Sequence, residues 1–251
     1  MTVSPEEKML IARAEDAVEL CEKQNCIKFV GFLTPADAEI VRRHLSKTRV
    51  QTVFYGGYPD SERVLFVALP DYLEPEDASQ LISVIRVTGR ETENLRHPDF
   101  LGSLLGLGIK REKIGDILIL EDECLIFVVE NIAGYITENL TKVGRKGVET
   151  QVIEPKDAVI PQRKTELIRA TVAALRLDAV VAAAIRTSRS AATNVIAEGR
   201  VFVNWSQTDS PSFKIKPGDV FSVRGFGRFR LAEEISTTRK GRTGICIEKM
   251  L

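Results

Sequence analysis

The stretch TSRSAATNVIAEGRVFVN, residues 187–204, decides the fold of the last third of the chain. Ser188 is a favourable N-cap residue and Gly199 a favourable residue just past a helix end. The pattern therefore predicts a short helix that leads directly into a strand. Helical geometry places a cation, two hydroxyls and an amide on one side of it. These polar residues are Arg189, Ser190, Thr193 and Asn194, and the opposite side carries Ala191, Ala192, Val195 and Ile196.

A second predicted helix, from Arg176 to about Ile185, comes just before the first. Its apolar stripe is formed by Leu177, Val180, Val181, Ala184 and Ile185. Alanines between Arg176 and Arg186 on the other side would let a phosphate backbone approach closely. Only three residues, 186–188, separate the helices, which is typical of a helix-turn-helix. Strands are predicted after Gly199 and from Val220, with a proline-glycine turn at 216–219 between them.

Charge is distributed unevenly along a chain whose formal net charge is zero. Residues 1–159 contain 19 basic and 27 acidic residues, a net charge of −8, whereas residues 160–251 contain 16 and 8, a net charge of +8. A basic module of this kind indicates a polyanionic partner. The N-terminus of a helix carries a partial positive charge and free N–H groups, so the starts of the two predicted helices also favour phosphate.

Composition argues against several other classes of protein. No apolar run approaches the roughly 20 residues that cross a bilayer, and the N-terminus lacks the pattern of a signal peptide, so we expect a cytoplasmic protein and no membrane partner. The four cysteines are far apart without a CxxC pair, and there are only two histidines. We therefore expect reduced thiols, no metal site and no cofactor.

The first 158 residues predict two small α+β units. Residues 1–75 contain two capped helices, beginning after Ser4 and Thr34, and strands near 50–55 and 64–69. Residues 76–158 follow the order βαββαβ, which predicts a ferredoxin-like or RRM-like domain. An RNA-binding RRM sheet displays stacking aromatics, and Phe127 is the single candidate here, with a core position favoured. Residues 154–166 contain two prolines and mixed charge, which predicts a linker or a domain crossing, and we place the linker at 159–174.

The helix pair and its strands resemble the S4 RNA-binding domain of ribosomal protein S4 and of many RNA-modifying proteins. The resemblance is carried by Arg176-Leu177-Asp178, by Ser188-Arg189-Ser190, by Gly199-Arg200-Val201 and by the turn Pro217-Gly218-Asp219. The whole chain is similar to the YlmH-like proteins of bacteria. The motif VRGFGR of these proteins is present unchanged at residues 223–228. Their usual DPSF is replaced by Ser210-Pro211-Ser212-Phe213 in this chain. The fold class is therefore α+β, ending in an S4 domain at 175–251 with a C-terminal β-hairpin.

The resemblance implies a non-catalytic protein that binds RNA of the large ribosomal subunit and tRNA in ribosome-associated quality control of stalled chains. It also implies which residues contact RNA, and the acidic half is a candidate surface for other protein factors. The expected RNA-binding residues are Arg176, Arg186, Ser188, Arg189, Ser190, Asn194, Arg200, Lys214, Arg224 and Arg228.

Other functions remain open at this point. S4 domains also occur in pseudouridine synthases, whose catalytic aspartate follows Arg-Leu, as Asp178 does here. The position of Asp178 at a helix start favours a structural role, because a carboxylate stabilises that end. A division-linked or photosynthesis-linked S4 adaptor is the remaining alternative.

Overall fold

The structure is a computed structural model that describes residues 4–45, 48–90, 94–161, 165–232, 236–237 and 242–250. It divides the chain into two compact units, which we call the N-terminal unit (1–161) and the C-terminal unit (162–251). The division coincides with the change of charge in the sequence, so an acidic unit precedes a basic one.

The N-terminal unit begins with a small α+β layer. Its elements are α1 (Pro5–Gln24), β1 (Lys28–Leu33), α2 (Pro35–His44), β2 (Gln51–Tyr55) and β3 (Val64–Leu69). The strands form an antiparallel sheet in the order β1-β3-β2. Both helices begin in capping boxes, at Ser4 with Glu7 and at Thr34 with Asp37, as the sequence predicts. The sequence interpretation missed β1, which pairs with a strand more than 30 residues further along the chain.

The second layer of this unit has the predicted βαββαβ order. Its elements are β4 (Ile82–Thr88), α3 (His97–Gly106), β5 (Ile114–Ile119), β6 (Cys124–Val129), α4 (Ala133–Asn139), the short hairpin of β7 (Lys142–Val143) and β8 (Lys146–Gly147), and β9 (Glu149–Ile153). The antiparallel sheet order β5-β6-β4-β9 is that of a ferredoxin-like fold.

The two layers share one core and pack sheet against sheet. One face of the second sheet lies under α3 and α4, where alternate residues such as Ile85 and Ile126 are buried with Phe100. The opposite face, with Val84 and Phe127, is buried against residues of the first sheet. The structure therefore unites the predicted domains 1–75 and 76–158 in one compact unit rather than separating them.

A polar network joins these layers at the edge of the shared core. The Asp116 carboxylate on β5 accepts hydrogen bonds from the Tyr58 hydroxyl at 2.7 Å and from the backbone N–H groups of Glu62 and Arg63 at 2.7 and 3.0 Å. The Arg63 guanidinium donates to the carbonyls of Phe32 and Ile114. Burial, partly offset by Asp116, lowers the pKa of Arg63 to about 10.

The C-terminal unit places a helix pair on one antiparallel sheet. Its elements are β10 (Thr165–Val172), α5 (Leu177–Ala184), α6 (Arg189–Ala197), β11 (Val201–Val203), β12 (Ser206–Gln207), β13 (Val220–Val223), β14 (Gly227–Leu231), β15 (Ser236–Thr237) and β16 (Thr243–Met250). The main path of the sheet is β10-β16-β14-β13-β11-β12, and β15 pairs with β16. The C-terminal hairpin predicted from runs at 228–235 and 244–249 corresponds to β14 and β16, which are antiparallel neighbours.

The predicted linker over 159–174 is wrong over Thr165–Val172. These residues form β10, which pairs with the whole of β16 from Thr165 opposite Met250 to Val172 opposite Thr243. The alternation that marks a half-buried strand is present, since Ile168 and Val172 are buried while Leu167 is exposed. The partner strand lies about 80 residues away in the sequence, so local composition gave no sign of the pairing.

The core of this unit lies between the helix pair and one face of the sheet. Val180, Val181 and Ala184 of α5 meet Ala192 and Ile196 of α6 there. The sheet contributes four buried side chains to the same core, those of Val201, Phe221, Phe229 and Ile247. The apolar stripes predicted for both helices are thus the ones that are buried, and their polar sides remain available for other contacts.

Candidate RNA-binding surface

Asp178 organises the beginning of the helix pair. It is only 4% exposed, and among the described residues it is the one charged residue that is buried. The Arg176 guanidinium donates to its two oxygens at 3.2 and 3.0 Å. The Arg189 guanidinium, from the start of α6, donates to the same oxygens at 3.1 and 3.0 Å. One carboxylate therefore orients two of the predicted RNA-binding arginines.

The ionisation of Asp178 follows from this geometry. Burial alone would raise the pKa of its carboxyl, but the hydrogen bonds and charges of Arg176 and Arg189 outweigh that effect and hold the pKa below its usual value. The aspartate is therefore charged at neutral pH. Its position at the helix start was predicted, whereas its contacts with two arginines were not.

The loop 210–215 covers the N-terminus of α5 and positions Lys214. Backbone N–H groups of Leu177 and Asp178 donate to the carbonyls of Phe213 and Pro211, at 2.9 and 3.1 Å. These bonds satisfy donors that a helix N-terminus otherwise leaves free. Arg176 and Lys214 form an isolated antiparallel bridge, so Lys214 lies beside the Asp178 cluster.

The N-terminus of α6 carries the predicted hydroxyl groups. Ser188 is the N-cap, and its Oγ accepts from the backbone N–H of Ala191 at 3.2 Å. The hydroxyls of Ser188 and Ser190 lie 3.0 Å apart. Asn194 follows one turn later and is exposed. Arg189, Ser190 and Asn194 thus lie on the outer side of the helix, as the sequence predicts.

Arg186 lies in the turn between the two helices. Its backbone has a φ of +53°, an uncommon conformation for a residue with a side chain. Its guanidinium forms an ion pair with Glu166 of β10, at 2.6 Å, while most of the arginine side chain stays in solvent. An exposed pair of this kind contributes little stability, so Arg186 can exchange its partner for a phosphate at small cost.

Arg200 and Arg224 form a second basic site at the far end of α6. The Arg200 guanidinium donates to the Arg224 carbonyl at 2.9 Å, and the Arg224 N–H donates to the Arg200 carbonyl at 3.0 Å. The Arg224 guanidinium lies over the ring of Phe202, 5.0 Å from its centre. Arg200 also contacts Glu198 at 3.4 Å.

Arg228 lies on the sheet face that also carries the contact between Arg224 and Phe202. On β14 its register partners are Ser222 of β13 and Met250 of β16. The side chains of Phe229 and Leu231, on the same strand, point to the other face and are buried. Strand alternation therefore places its side chain on the sheet face opposite the helix pair. The predicted set thus falls into an Asp178 cluster, the Arg186 turn, the Arg200–Arg224 site and Arg228, which shares a cross-strand row with Ser222 and Phe202.

The RRM-like sheet does not offer its usual RNA-binding face. Phe127 is completely buried, with the Tyr58 ring 4.9 Å from its own, centre to centre. A Cβ on Gly57 would lie 2.5 Å from the Phe127 ring, which shows how tightly the first layer covers this face. The core position favoured for Phe127 is confirmed. The exposed Arg145 of the β7–β8 hairpin lies outside this covered face.

Comparison with known proteins assigns the chain to a family. The family described as "S4 domain" matches residues 175–221, and the one described as "Putative RNA-binding domain in YlmH" matches residues 75–157. A Bacillus subtilis (strain 168) protein named "Ribosome-associated protein quality control protein P2" is 31% identical over 245 residues, 97% of this chain and 95% of the relative. The chain belongs to the YlmH family. The YlmH resemblance seen in the sequence is therefore confirmed, and the chain carries both RNA-binding domains of the family.

A solved structure supports the fold of this YlmH-family chain. The "Cell division protein ylmH from Streptococcus pneumoniae" superposes with a TM-score of 0.54 at 19% identity, over 64% of this chain and 98% of that one. This likeness and the S4 match confirm the α+β fold class.

Other kinds of site receive no support from the described part of this YlmH-family chain. Its cysteines are free thiols, with Cys21 and Cys124 buried, and burial raises the pKa of Cys124 to about 12. No group of three or more metal-binding side chains occurs among the described residues. The helices in that part of the chain are all too short or too polar to cross a bilayer.

Proposed function

We propose that this protein is a non-catalytic RNA-binding factor that associates with ribosomal RNA of the large subunit and with tRNA, in the quality control of stalled nascent chains. The observation that carries the proposal is the Asp178 cluster. Two arginines, held by one buried carboxylate, project from the starts of two helices in a unit of net charge +8.

The cluster has the chemistry of a phosphate-binding site. The start of α6 carries the positive end of a helix dipole, and the half-exposed guanidinium groups of Arg176 and Arg189 add full charges beside it. Backbone phosphates supply most of the affinity of RNA-binding proteins through contacts of this kind. The family relationship to a ribosome-associated quality control protein supports the ribosome as the source of the RNA.

The same geometry supports a binding function over catalysis at Asp178. A catalytic aspartate needs access to its substrate, whereas this carboxylate is buried and accepts four hydrogen bonds from two arginines. We also propose that the acidic N-terminal unit meets protein factors through its surface outside the matched domain at 75–157, because its net charge of −8 favours partners other than a polyanion there.

Co-sedimentation with purified ribosomal subunits tests the proposal. We expect the protein to pellet with large subunits, and the double variant Arg186→Gln/Arg189→Gln to lose most of that binding. The matched control Lys8→Gln/Lys23→Gln removes the same charge from exposed positions of the N-terminal unit, outside the matched domain at 75–157, and should bind like the wild type. Equal pelleting of both double variants would show that the basic helix pair is not the contact. Crosslinking to bound tRNA, followed by sequencing, tests the second RNA partner.

A further inference from the structure

The turn between β13 and β14 holds a phenylalanine in solvent between two glycines. Gly225 and Gly227 have φ values of +86° and +116°, which residues with side chains rarely adopt. The Phe226 N–H donates to the Val223 carbonyl at 2.9 Å and closes the turn. Phe226 is 43% exposed and does not belong to the core of the C-terminal unit. A single exposed apolar side chain is ordinary, so its surroundings decide whether it has a role.

Phe226 lines a hollow of about 160 Å³ on the surface of the C-terminal unit. The hollow is smaller than the roughly 300–1,000 Å³ of small-molecule pockets, so it suits one planar ring better than a whole free ligand. Its apolar lining consists of Ile168, Ala184, Ile185, Phe226 and Phe229, and its polar lining of Glu166, Arg186 and Lys249.

Cations surround the hairpin tip. The Arg200 guanidinium lies 3.3 Å from the place of a Cβ on Gly225, and the Lys249 side chain lies 3.9 Å from that of Gly227. Arg186 lies across the hollow, paired with Glu166. An exposed aromatic ring flanked by several cations is the combination with which proteins bind single-stranded nucleic acid.

We propose that Phe226 is a stacking platform for an unpaired base of the bound RNA, with Arg186, Arg200 and Lys249 contacting the neighbouring phosphates. The inference rests on the proposed RNA-binding function and adds the class of nucleotide that is recognised. A base fits the hollow because the Phe226 ring and the apolar side chains beside it offer a flat contact to an aromatic ring, while the Glu166 carboxylate disfavours an anion there. The same carboxylate can accept a hydrogen bond from an exocyclic amino group of a base.

The test compares Phe226→Ala with wild type in binding to two probes, large-subunit ribosomal RNA and a blunt RNA duplex. We expect affinity for the ribosomal RNA to fall roughly 5- to 150-fold, the range for loss of one stacked base. Affinity for the duplex should stay the same, because a duplex offers no unpaired base. The salt dependence should also be unchanged, since no phosphate contact is removed. Phe226→Trp should retain wild-type affinity.

Controls separate this inference from the proposed function. Leu167→Ala removes another exposed apolar side chain, on the sheet face opposite the helix pair, and should bind both probes normally. Fluorescence of Trp205, the single tryptophan of the chain, checks that the C-terminal unit of Phe226→Ala is folded. Wild-type affinity of Phe226→Ala for ribosomal RNA, or an equal loss on both probes, would overturn the stacking role alone. A wild-type protein that binds neither probe would overturn the proposed function, and the stacking role with it.

Discussion

The Arg189 guanidinium donates to both oxygens of the Asp178 carboxylate, at 3.1 and 3.0 Å, and thereby links the start of α6 to the start of α5. The link joins positions eleven residues apart and fixes the direction in which the arginine leaves the helix. Since Arg176 shares the same carboxylate, a single buried aspartate sets the orientation of two cations.

Replacing Asp178 with asparagine is expected to lower the free energy of unfolding of the C-terminal unit by about 2 kcal/mol, because buried hydrogen bonds to charged groups are among the strongest. RNA affinity should fall as well, since the two arginines lose their common orientation. Urea denaturation followed through Trp205 fluorescence measures the change in this unit. Asp209→Asn, at an exposed position of the same unit, is the control. A cost for Asp178→Asn no greater than that of the control would contradict the structural role.

The stabilisation by Asp178 should depend on pH in a defined direction. The folded-state pKa of the carboxyl lies below its unfolded value of about 3.9, so the stabilisation is fully present above that value and is lost as the pH falls through the folded pKa. The stability difference between wild type and Asp178→Asn should therefore be constant from pH 7 to about pH 5 and shrink below about pH 4. A difference that shrinks between pH 7 and pH 5 would indicate another titrating group.

Phe127→Leu is expected to weaken the N-terminal unit without affecting RNA binding. The ring is buried between the two sheets, and replacing it with the smaller leucine removes buried carbon atoms and leaves a cavity, which costs about 1–3 kcal/mol. Hydrogen exchange of amides in β4 and β6 measures the loss, and a titration with ribosomal RNA measures the affinity. Reduced affinity with unchanged exchange would mean that this ring stacks on RNA after all.

Asp116→Ala is expected to destabilise the packing of the two layers by at least about 2 kcal/mol. The substitution removes the charged acceptor of three partly buried hydrogen bonds, from the Tyr58 hydroxyl and two backbone N–H groups, and a hydrogen bond to a charged group contributes about 1.5–3 kcal/mol. Thermal denaturation by circular dichroism measures the effect. Asp122→Ala, at an exposed position in the turn between β5 and β6, should have little effect. If the two variants melted alike, the network would not be what joins the layers.

Features with local causes could be predicted from the sequence. Ser188 caps α6 by accepting a hydrogen bond from a backbone N–H only three residues further along the chain. Gly199 adopts the positive φ that ends the helix. The turn at 216–219 closes with the Asp219 N–H donating to the Lys216 carbonyl, as the proline-glycine pair predicts. The two apolar stripes of the helix pair follow from helical period alone.

Features that depend on distant partners could not be predicted in this way. β1 and β10 are short runs whose pairing with β3 and β16 supplies their stability. The buried face around Phe127 follows from sheet packing, which no periodicity specifies. The contact of Asp178 with Arg189 needs the two helices to meet. The hollow beside Phe226 needs three strands, a turn and the end of α5 to come together.

The most direct measurement of the central claim is the affinity of the full chain for large-subunit ribosomal RNA as a function of salt concentration. If the helix-pair surface neutralises several phosphates, the plot of log affinity against log salt has a steep negative slope. Arg186→Gln/Arg189→Gln should make that slope shallower by about 1.4 to 1.8, since each lost phosphate contact removes about 0.7 to 0.9. A wild-type slope near zero, or a slope that the double variant leaves unchanged, would contradict the account.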